Sequence, residues 1–113
     1  MQTKRSSSKE QRFNQRSSNP RVLVVVPTYN EIDNLPKLAE AIVALKIPNL
    51  ELLVVDDNSP DGTGKLADEL AKKHPQIHVL HRKEKAGLGA AYAAGFTWAL
   101  NPAAGGPYEY VIS

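Results

Sequence analysis

Two adjacent carboxylates, Asp56 and Asp57, follow a short apolar run in the middle of the chain. Neighbouring residues on a strand point to opposite faces, so we do not expect a catalytic carboxylate pair, and only one of the two can face a ligand. A carboxylate at the end of the second strand is where doubly wound folds hold a ribose hydroxyl. The position of these aspartates therefore favours a nucleotide as the ligand.

The stretch that follows, residues 58–63, contains the sequence Ser-Pro-Asp-Gly-Thr. Serine, proline, aspartate and glycine are typical of tight turns, and Thr63 has a side chain suited to the N-cap of a following helix. We therefore assign this stretch mainly to structure rather than to ligand binding.

An earlier loop, residues 27–31, reads Pro-Thr-Tyr-Asn-Glu. It lacks the glycines that bring backbone close to a pyrophosphate in dinucleotide-binding folds, which argues against an NAD(P)-linked oxidoreductase. Its proline is rigid, Tyr29 has an aromatic face that can stack on a base, and Glu31 can accept hydrogen bonds from a base or a ribose. The competing interpretation is a simple helix entry capped by Asn30 or Asp33.

A third loop, residues 81–89, places cationic side chains and a Gly-x-Gly sequence just before an apolar helix. Backbone amides at the start of a helix suit an anionic ligand. The alternative is that Gly87, Gly89 and Gly95 serve only the close packing of a helix against a sheet, while the charges form a solvated turn.

Strand and helix patterns alternate around these loops. Short β-branched apolar runs are typical of buried strands in parallel sheets, and apolar residues spaced by three and four are typical of amphipathic helices. The predicted strands are residues 22–26, 51–56 and 77–81 with a fourth starting near 108, and the predicted helices are residues 32–45, 65–73 and 88–100. This order predicts an α/β fold, a doubly wound and mainly parallel sheet with helices on both faces. Ligands bind such sheets at the carboxyl ends of the strands, where the three loops lie.

Length and composition narrow the class of protein. A chain of 113 residues suffices for one domain with a single core. It contains no cysteine, which fits a reducing, cytoplasmic environment. No apolar run approaches the roughly 20 residues of a transmembrane helix, so no membrane span is expected in this chain.

The positive charge is concentrated at the N-terminus. Six of the fourteen basic residues precede Val22, against the single acid Glu10. Residues 1–20 are therefore predicted to be a flexible basic tail, with an organelle-targeting peptide or a contact with anionic lipid as alternatives. The rest of the chain is net acidic, the wrong sign for a nucleic-acid-binding domain, and we expect no nucleic-acid partner.

Three sequences occur in a fixed order on these elements: Val-Pro-Thr-Tyr-Asn-Glu, Val-Val-Asp-Asp-Asn-Ser-Pro-Asp-Gly-Thr and Gly-Leu-Gly-Ala-Ala-Tyr. Together they resemble the family 2 glycosyltransferases, and more narrowly the polyprenol-phosphate (dolichol-phosphate) mannosyltransferases. The resemblance covers about residues 21–113. The Ser-Pro-Asp-Gly-Thr loop with Gly-Leu-Gly is specific to that subgroup, whereas the Pro-x-Tyr-Asn-Glu opening is shared by many sugar transferases.

The resemblance implies a sheet of the nucleotide-diphospho-sugar transferase (GT-A) type, incomplete at the C-terminus, with residues 21–113 as its N-terminal, nucleotide-sugar-binding part. It also implies transfer of mannose from GDP-mannose to a polyprenol (dolichol) phosphate with inversion, at the cytoplasmic face of a membrane. The positions that match the donor-binding residues of the family are Pro27, Tyr29, Glu31, Val55 and Asp57, with Asp56 supporting them from behind.

A divalent cation, Mg²⁺ or Mn²⁺, is also implied by the resemblance. Its Asp-x-Asp ligands normally follow the fourth strand, so they are expected beyond Ser113, as are the residues that bind the acceptor phosphate. Such a cation neutralises the leaving nucleotide, and we therefore expect these 113 residues alone to be inactive as a transferase, with no catalytic residue assigned among them. The fourth strand is expected to leave an apolar edge that favours aggregation.

The sequence leaves two alternatives open. The same fold could take another donor, such as UDP-glucose, for the same class of lipid acceptor, because no residue before Ser113 is assigned to recognition of the sugar. The other alternative is a non-catalytic nucleotide-binding module.

Overall fold

The computed structural model describes residues 20–83, 86–101 and 107–113, in which strands and helices alternate along the chain. The strands are β1 (Val22–Thr28), β2 (Leu50–Asp56), β3 (Ile77–His81) and β4 (Tyr110–Ile112). The helices are α1 (Leu35–Ala44), α2 (Thr63–Lys73) and α3 (Leu88–Leu100). The predicted basic tail lies outside the described residues except for Pro20, as does most of the predicted loop 102–107.

The four strands that the described residues form are parallel, in the order β3-β2-β1-β4. β1 and β2 run side by side from the pair Val22 and Leu50 to the pair Thr28 and Asp56, so the loops after both strands leave the sheet at the same level. The chain moves outward from β1 through β2 to β3 and then returns to the other side of β1 for β4. Ligands bind doubly wound sheets at the carboxyl edge where the order reverses in this way.

Alternate residues of β2 divide the core into two layers. Leu53 and Val55 pack with α3 on one face, whereas Leu52 and Val54 pack with α1 and α2 on the other, and all four side chains are fully buried. Burying one such side chain contributes roughly 1.5–3 kcal/mol, so the two layers hold the helices against the sheet. The predicted fold class, a parallel sheet covered by helices on both faces, is confirmed.

Gly95 allows α3 to lie close to the sheet. A Cβ atom at this position would lie 2.5 Å from Cγ1 of Val25 and 3.4 Å from Cγ2 of Val55. A Cβ atom at Gly89, on the same helix, would meet no heavy atom within 4 Å beyond its own neighbours. Close packing therefore explains why residue 95 is a glycine, but it does not explain the glycine at position 89.

Glu51 joins residues from the amino ends of all four strands. Its carboxylate accepts hydrogen bonds of 2.7 Å from Arg21 Nη2, His78 Nε2 and Tyr108 OH. The guanidinium of Arg21 also lies 4.4 Å from the centre of the Tyr108 ring. Burial raises the pKa of Glu51, but the three hydrogen bonds together outweigh it, so the pKa is lower than usual. The cluster ties the short β4 to its neighbours.

α1 begins later than the sequence predicts. The backbone carbonyl of Glu31 accepts hydrogen bonds from the amides of Asn34 and Leu35, at 3.1 and 2.8 Å, and this turn precedes the first helical residue. The N-cap position is Asn34, which makes no side-chain capping bond. The suggested caps Asn30 and Asp33 are therefore wrong, because Asn30 lies before the turn and Asp33 lies within it, and neither is at the helix boundary.

α2 begins earlier than predicted, and its cap differs too. Gly62 is the N-cap, with φ of +94°, a left-handed conformation that favours glycine. Thr63 is the first helical residue, so its assignment as the N-cap is wrong. The physical reason is that its hydroxyl bonds to groups outside the helix, the amide of Glu31 and the carboxylate of Asp61.

Candidate functional site

A cavity of about 370 Å³ opens at the carboxyl edge of β1 and β2. It is lined by the loop after β1, the residue after β2 and the start of α3: Pro27, Thr28, Tyr29, Glu31, Asp57, Gly87, Leu88 and Ala91. The structure thus brings together four of the five residues that the sequence singled out. The fifth, Val55, is not among the lining residues.

Parallel pairing explains why two distant loops meet here. Thr28 and Asp56 are the last paired residues of β1 and β2, and one further backbone hydrogen bond of 3.1 Å joins the Asp57 amide to the Thr28 carbonyl. The chain segments therefore stay together for one residue beyond the strands. This places the Asp57 side chain against the loop that carries Tyr29 and Glu31.

The two adjacent aspartates take different roles, as their parity predicts. Asp56 is 1% exposed, and its carboxylate accepts hydrogen bonds from the hydroxyls of Thr28 and Ser59 at 2.7 and 2.6 Å. It also accepts the backbone amide of Ser59 at 3.0 Å. Asp57 instead lines the cavity and is paired with Arg82, whose Nη1 lies 3.1 and 3.4 Å from its two oxygens. Asp56 therefore holds the loop after β2 in place, and Asp57 presents the charge.

Val55 lies in the core beside the cavity rather than in its wall. Its side chain is fully buried and belongs to the same apolar cluster as Ala91, which does line the cavity. Val55 and Asp57 have the same parity, but Val55 is buried in the core cluster with residues of α3, whereas Asp57 lines the cavity. Any contribution of the Val55 side chain to a ligand site is therefore indirect, through the packing of α3.

Tyr29 and Glu31 form the wall contributed by the loop after β1. Tyr29 is 38% exposed and lines the cavity, so part of this aromatic residue is accessible from it. Glu31 is half-buried, and its Oε1 accepts a hydrogen bond of 3.1 Å from the Asn34 side-chain amide. The wall combines an aromatic surface with a hydrogen-bond acceptor.

The loop after β3 also contributes to the site, although its sequence left open whether it binds a ligand or only serves packing. Arg82, directly after β3, is the cation that neutralises Asp57. Gly87, the residue before α3, lines the cavity. Its φ of +94° is a conformation that side chains disfavour, which explains why this position is a glycine. Leu88 and Ala91 were missed because their positions depend on how α3 packs. Glu84 and Lys85, part of the predicted cationic loop, lie outside the described residues.

Two further observations concern metal ions and membranes. Across residues 20–83, 86–101 and 107–113, no three His, Cys, Asp or Glu side chains are grouped so that they could hold a metal ion. In the same part of the chain, none of the helices combines the length and the apolar character needed to cross a membrane.

Comparison with known proteins identifies relatives of this chain. Residues 23–110 match the profile of the family described as "Glycosyl transferase family 2". The chain is 60% identical over 81 residues to a polyprenol monophosphomannose synthase of Mycolicibacterium smegmatis, covering 71% of this chain and 30% of the relative. It is 55% identical over 84 residues to an undecaprenyl-phosphate mannosyltransferase of Micrococcus luteus, covering 71% and 32%. The chain thus spans about a third of the length of these curated relatives.

A similar fold occurs in a solved structure of the mannosyltransferase PcManGT from Pyrobaculum calidifontis in complex with GDP-Man and Mn²⁺. The TM-score is 0.65 at 32% sequence identity, over 70% of this chain and 24% of the other. This similarity agrees with a sheet of the GT-A type.

Proposed function

Because this chain belongs to glycosyltransferase family 2, we propose that its cavity binds the nucleotide of a sugar donor. One observation carries this proposal: Tyr29, Glu31 and Asp57, which lie on two separate loops, line a single cavity at the carboxyl edge of the sheet. That edge is where doubly wound folds bind nucleotides. The function proposed for the whole protein is transfer of mannose from GDP-mannose to a polyprenol (dolichol) phosphate, with inversion.

The names of the relatives support this donor and acceptor. Two relatives above 50% identity are named for mannose and a polyprenol-type phosphate. The similar solved structure contains GDP-Man. A polyprenol phosphate is a membrane lipid, so we also propose that the protein works at the cytoplasmic face of a membrane.

Each of the five predicted donor-binding residues has a proposed part in binding. Tyr29 stacks on the base, and Glu31 accepts hydrogen bonds from the base or the ribose. Asp57 accepts from ribose hydroxyls, while Pro27 keeps the start of the loop rigid. Val55 acts from the core by fixing the position of α3 behind the cavity.

The proposed enzyme uses a divalent cation, Mg²⁺ or Mn²⁺, as the Mn²⁺ in the similar structure suggests. When bound, such a cation neutralises charge on the donor diphosphate. The side chains of residues 20–83, 86–101 and 107–113 do not form a complete ligand set for it. We therefore propose that its ligands lie outside these residues.

Asp57→Asn tests the nucleotide site directly, because it removes the charge and keeps the shape of the side chain. A hydrogen bond to a charged group contributes roughly 1.5–3 kcal/mol, so GDP affinity measured by calorimetry should fall by roughly ten- to a hundredfold. Asp68→Asn is the matched control, since Asp68 is 51% exposed on α2 and its partner is His81. The melting temperatures of both variants show whether either substitution lowers stability. Asp57→Asn can lower it because this substitution weakens the ion pair with Arg82.

The outcomes separate the possible functions. Unchanged GDP affinity in Asp57→Asn, at an unchanged melting temperature, would show that Asp57 does not contact the nucleotide. If UDP displaced a labelled nucleotide from the wild-type chain better than GDP, a donor such as UDP-glucose would replace GDP-mannose in the proposal. Binding of neither nucleotide would contradict the proposed site itself.

A further inference from the structure

Three consecutive backbone amides in the loop after β1 are bound by side chains from the loop after β2 and from the first residue of α2. The amide of Asn30 donates to Ser59 Oγ at 3.0 Å. The amide of Glu31 donates to Thr63 Oγ1 at 3.0 Å, and the amide of Ile32 donates to an oxygen of Asp61 at 3.2 Å. We call the three accepting side chains, Ser59, Asp61 and Thr63, the amide clamp.

Each hydroxyl of the amide clamp is itself oriented by a carboxylate. Ser59 Oγ donates to Oδ1 of Asp56 at 2.6 Å, and Thr63 Oγ1 donates to Oδ1 of Asp61. A hydroxyl has one hydrogen to donate, so these bonds fix its direction and leave its lone pairs for the amides. The hydrogen bond from Thr63 lowers the pKa of Asp61, which keeps that carboxylate in the ionised form that only accepts.

The loop that receives these bonds connects β1 to α1 and lies outside both regular elements. Residues 29–34 belong to neither β1 nor α1, and they include no glycine. Asn30 has φ of +58°, in the left-handed region, which non-glycine residues adopt at some energetic cost. Its neighbours Tyr29 and Glu31 are the two residues of this loop that form the proposed nucleotide wall. The bonds to residues 30–32 therefore act on the backbone that carries both side chains.

We propose that the amide clamp positions the nucleotide site, holding Tyr29 and Glu31 where they meet the base and ribose of the donor. This inference rests on the proposed nucleotide-binding function. None of the three clamp residues lines the cavity, so they are positioning residues that act through the loop. The turn sequence Ser-Pro-Asp-Gly-Thr thus serves the site although it does not contact the ligand.

Thr63→Val tests the central bond of the amide clamp. Valine has nearly the same shape, but it removes the acceptor of the Glu31 amide. Thr63 is fully buried, so the cavity-side surface stays the same. If the loop adopts its clamped arrangement only about a tenth of the time without this bond, GDP affinity falls about tenfold. Thr63→Ser keeps the hydroxyl and should restore the affinity, and Thr97→Val, on the exposed face of α3, is the matched control.

Three measurements on the 113-residue chain are needed: GDP affinity by calorimetry, melting temperature, and amide hydrogen exchange by NMR. The expected result is weaker GDP binding and faster exchange of the Glu31 amide in Thr63→Val, with both restored in Thr63→Ser. Should Thr63→Val fail to fold, Ser59→Ala replaces it. Ser59 is only partly buried, and its loss frees the Asn30 amide.

The failures can be told apart. If the wild-type chain binds GDP and Thr63→Val binds it equally well, the inference is wrong while the nucleotide site stands. Unchanged exchange of the Glu31 amide in Thr63→Val would also overturn it, because the loop would then be held by other contacts. If the wild-type chain binds neither GDP nor UDP, the proposed function fails and the inference falls with it.

Discussion

Replacing Gly95 by alanine should destabilise the protein, whereas the same replacement at Gly89 should not. Both glycines lie on α3, so the two variants differ in the packing of one methyl group. At Gly95 the new Cβ would lie 2.5 Å from Cγ1 of Val25, a distance that forces the helix or the strand to move. At Gly89 the new methyl group has no neighbour within 4 Å beyond the adjacent residues.

The magnitudes follow from general costs of packing and helix formation. Forcing an extra methyl group into a well-packed core costs about 1–3 kcal/mol. Alanine in place of a helical glycine gains up to about 1 kcal/mol, because it lowers the entropy of the unfolded chain. In a domain of this size 1 kcal/mol shifts the melting temperature by roughly 4–8 °C. Gly95→Ala should therefore melt at least about 4 °C below Gly89→Ala.

Thermal unfolding followed by circular dichroism measures this difference, and a second substitution locates its cause. Val25→Ala removes the methyl group that the new Cβ would strike. In a double-mutant cycle, Gly95→Ala should then cost less in the Val25→Ala background than in the wild type. A melting temperature of Gly95→Ala equal to or above that of Gly89→Ala would refute the described distance between α3 and the sheet.

Two further predictions concern the cluster around Glu51. Its pKa is lowered in the folded protein, so its contribution to stability is present above the usual value of 4.5 and is lost as the pH falls through the folded pKa. Denaturant titrations should show this loss below pH 4.5, and Glu51→Gln should flatten it; an unchanged acid profile in the variant would contradict the cluster. Burial and the hydrogen bond to Glu51 raise the pKa of Tyr108 to about 12, so stability is retained up to pH 10 and declines above it. Ultraviolet titration should show the late ionisation of Tyr108, and Tyr108→Phe should remove that step.

The parity of residues on a strand was sufficient to assign the two aspartates. Because Asp56 and Asp57 are adjacent after an apolar run, only one could face the cavity, and the structure shows that Asp57 lines it while Asp56 does not. Parity was not sufficient for Val55. Whether a side chain of the same parity reaches the cavity depends on where α3 begins to cover the sheet, and that boundary is set by tertiary packing.

The amide clamp shows a second limit of local reasoning. Serine, aspartate and glycine in sequence correctly indicate a turn, but Ser59 and Thr63 accept hydrogen bonds from amides about thirty residues earlier in the chain. Their partners follow from the register of β1 with β2, which no local pattern contains. The two glycines of α3 are a similar case, since the distances to Val25 and Val55 distinguish Gly95 from Gly89.

The two acidic side chains at opposite ends of β2 explain why the carboxyl edge is the better candidate for ligand binding. Both are largely buried and both are paired with an arginine, but they differ in remaining hydrogen-bonding capacity. Glu51 already accepts from three donors, one on β3 and two just before β1 and β4. The side-chain partner of Asp57 among the described residues is one nitrogen of Arg82. A carboxylate has about four lone-pair positions, so Asp57 keeps more unused acceptor positions than Glu51, which mainly holds the strands together.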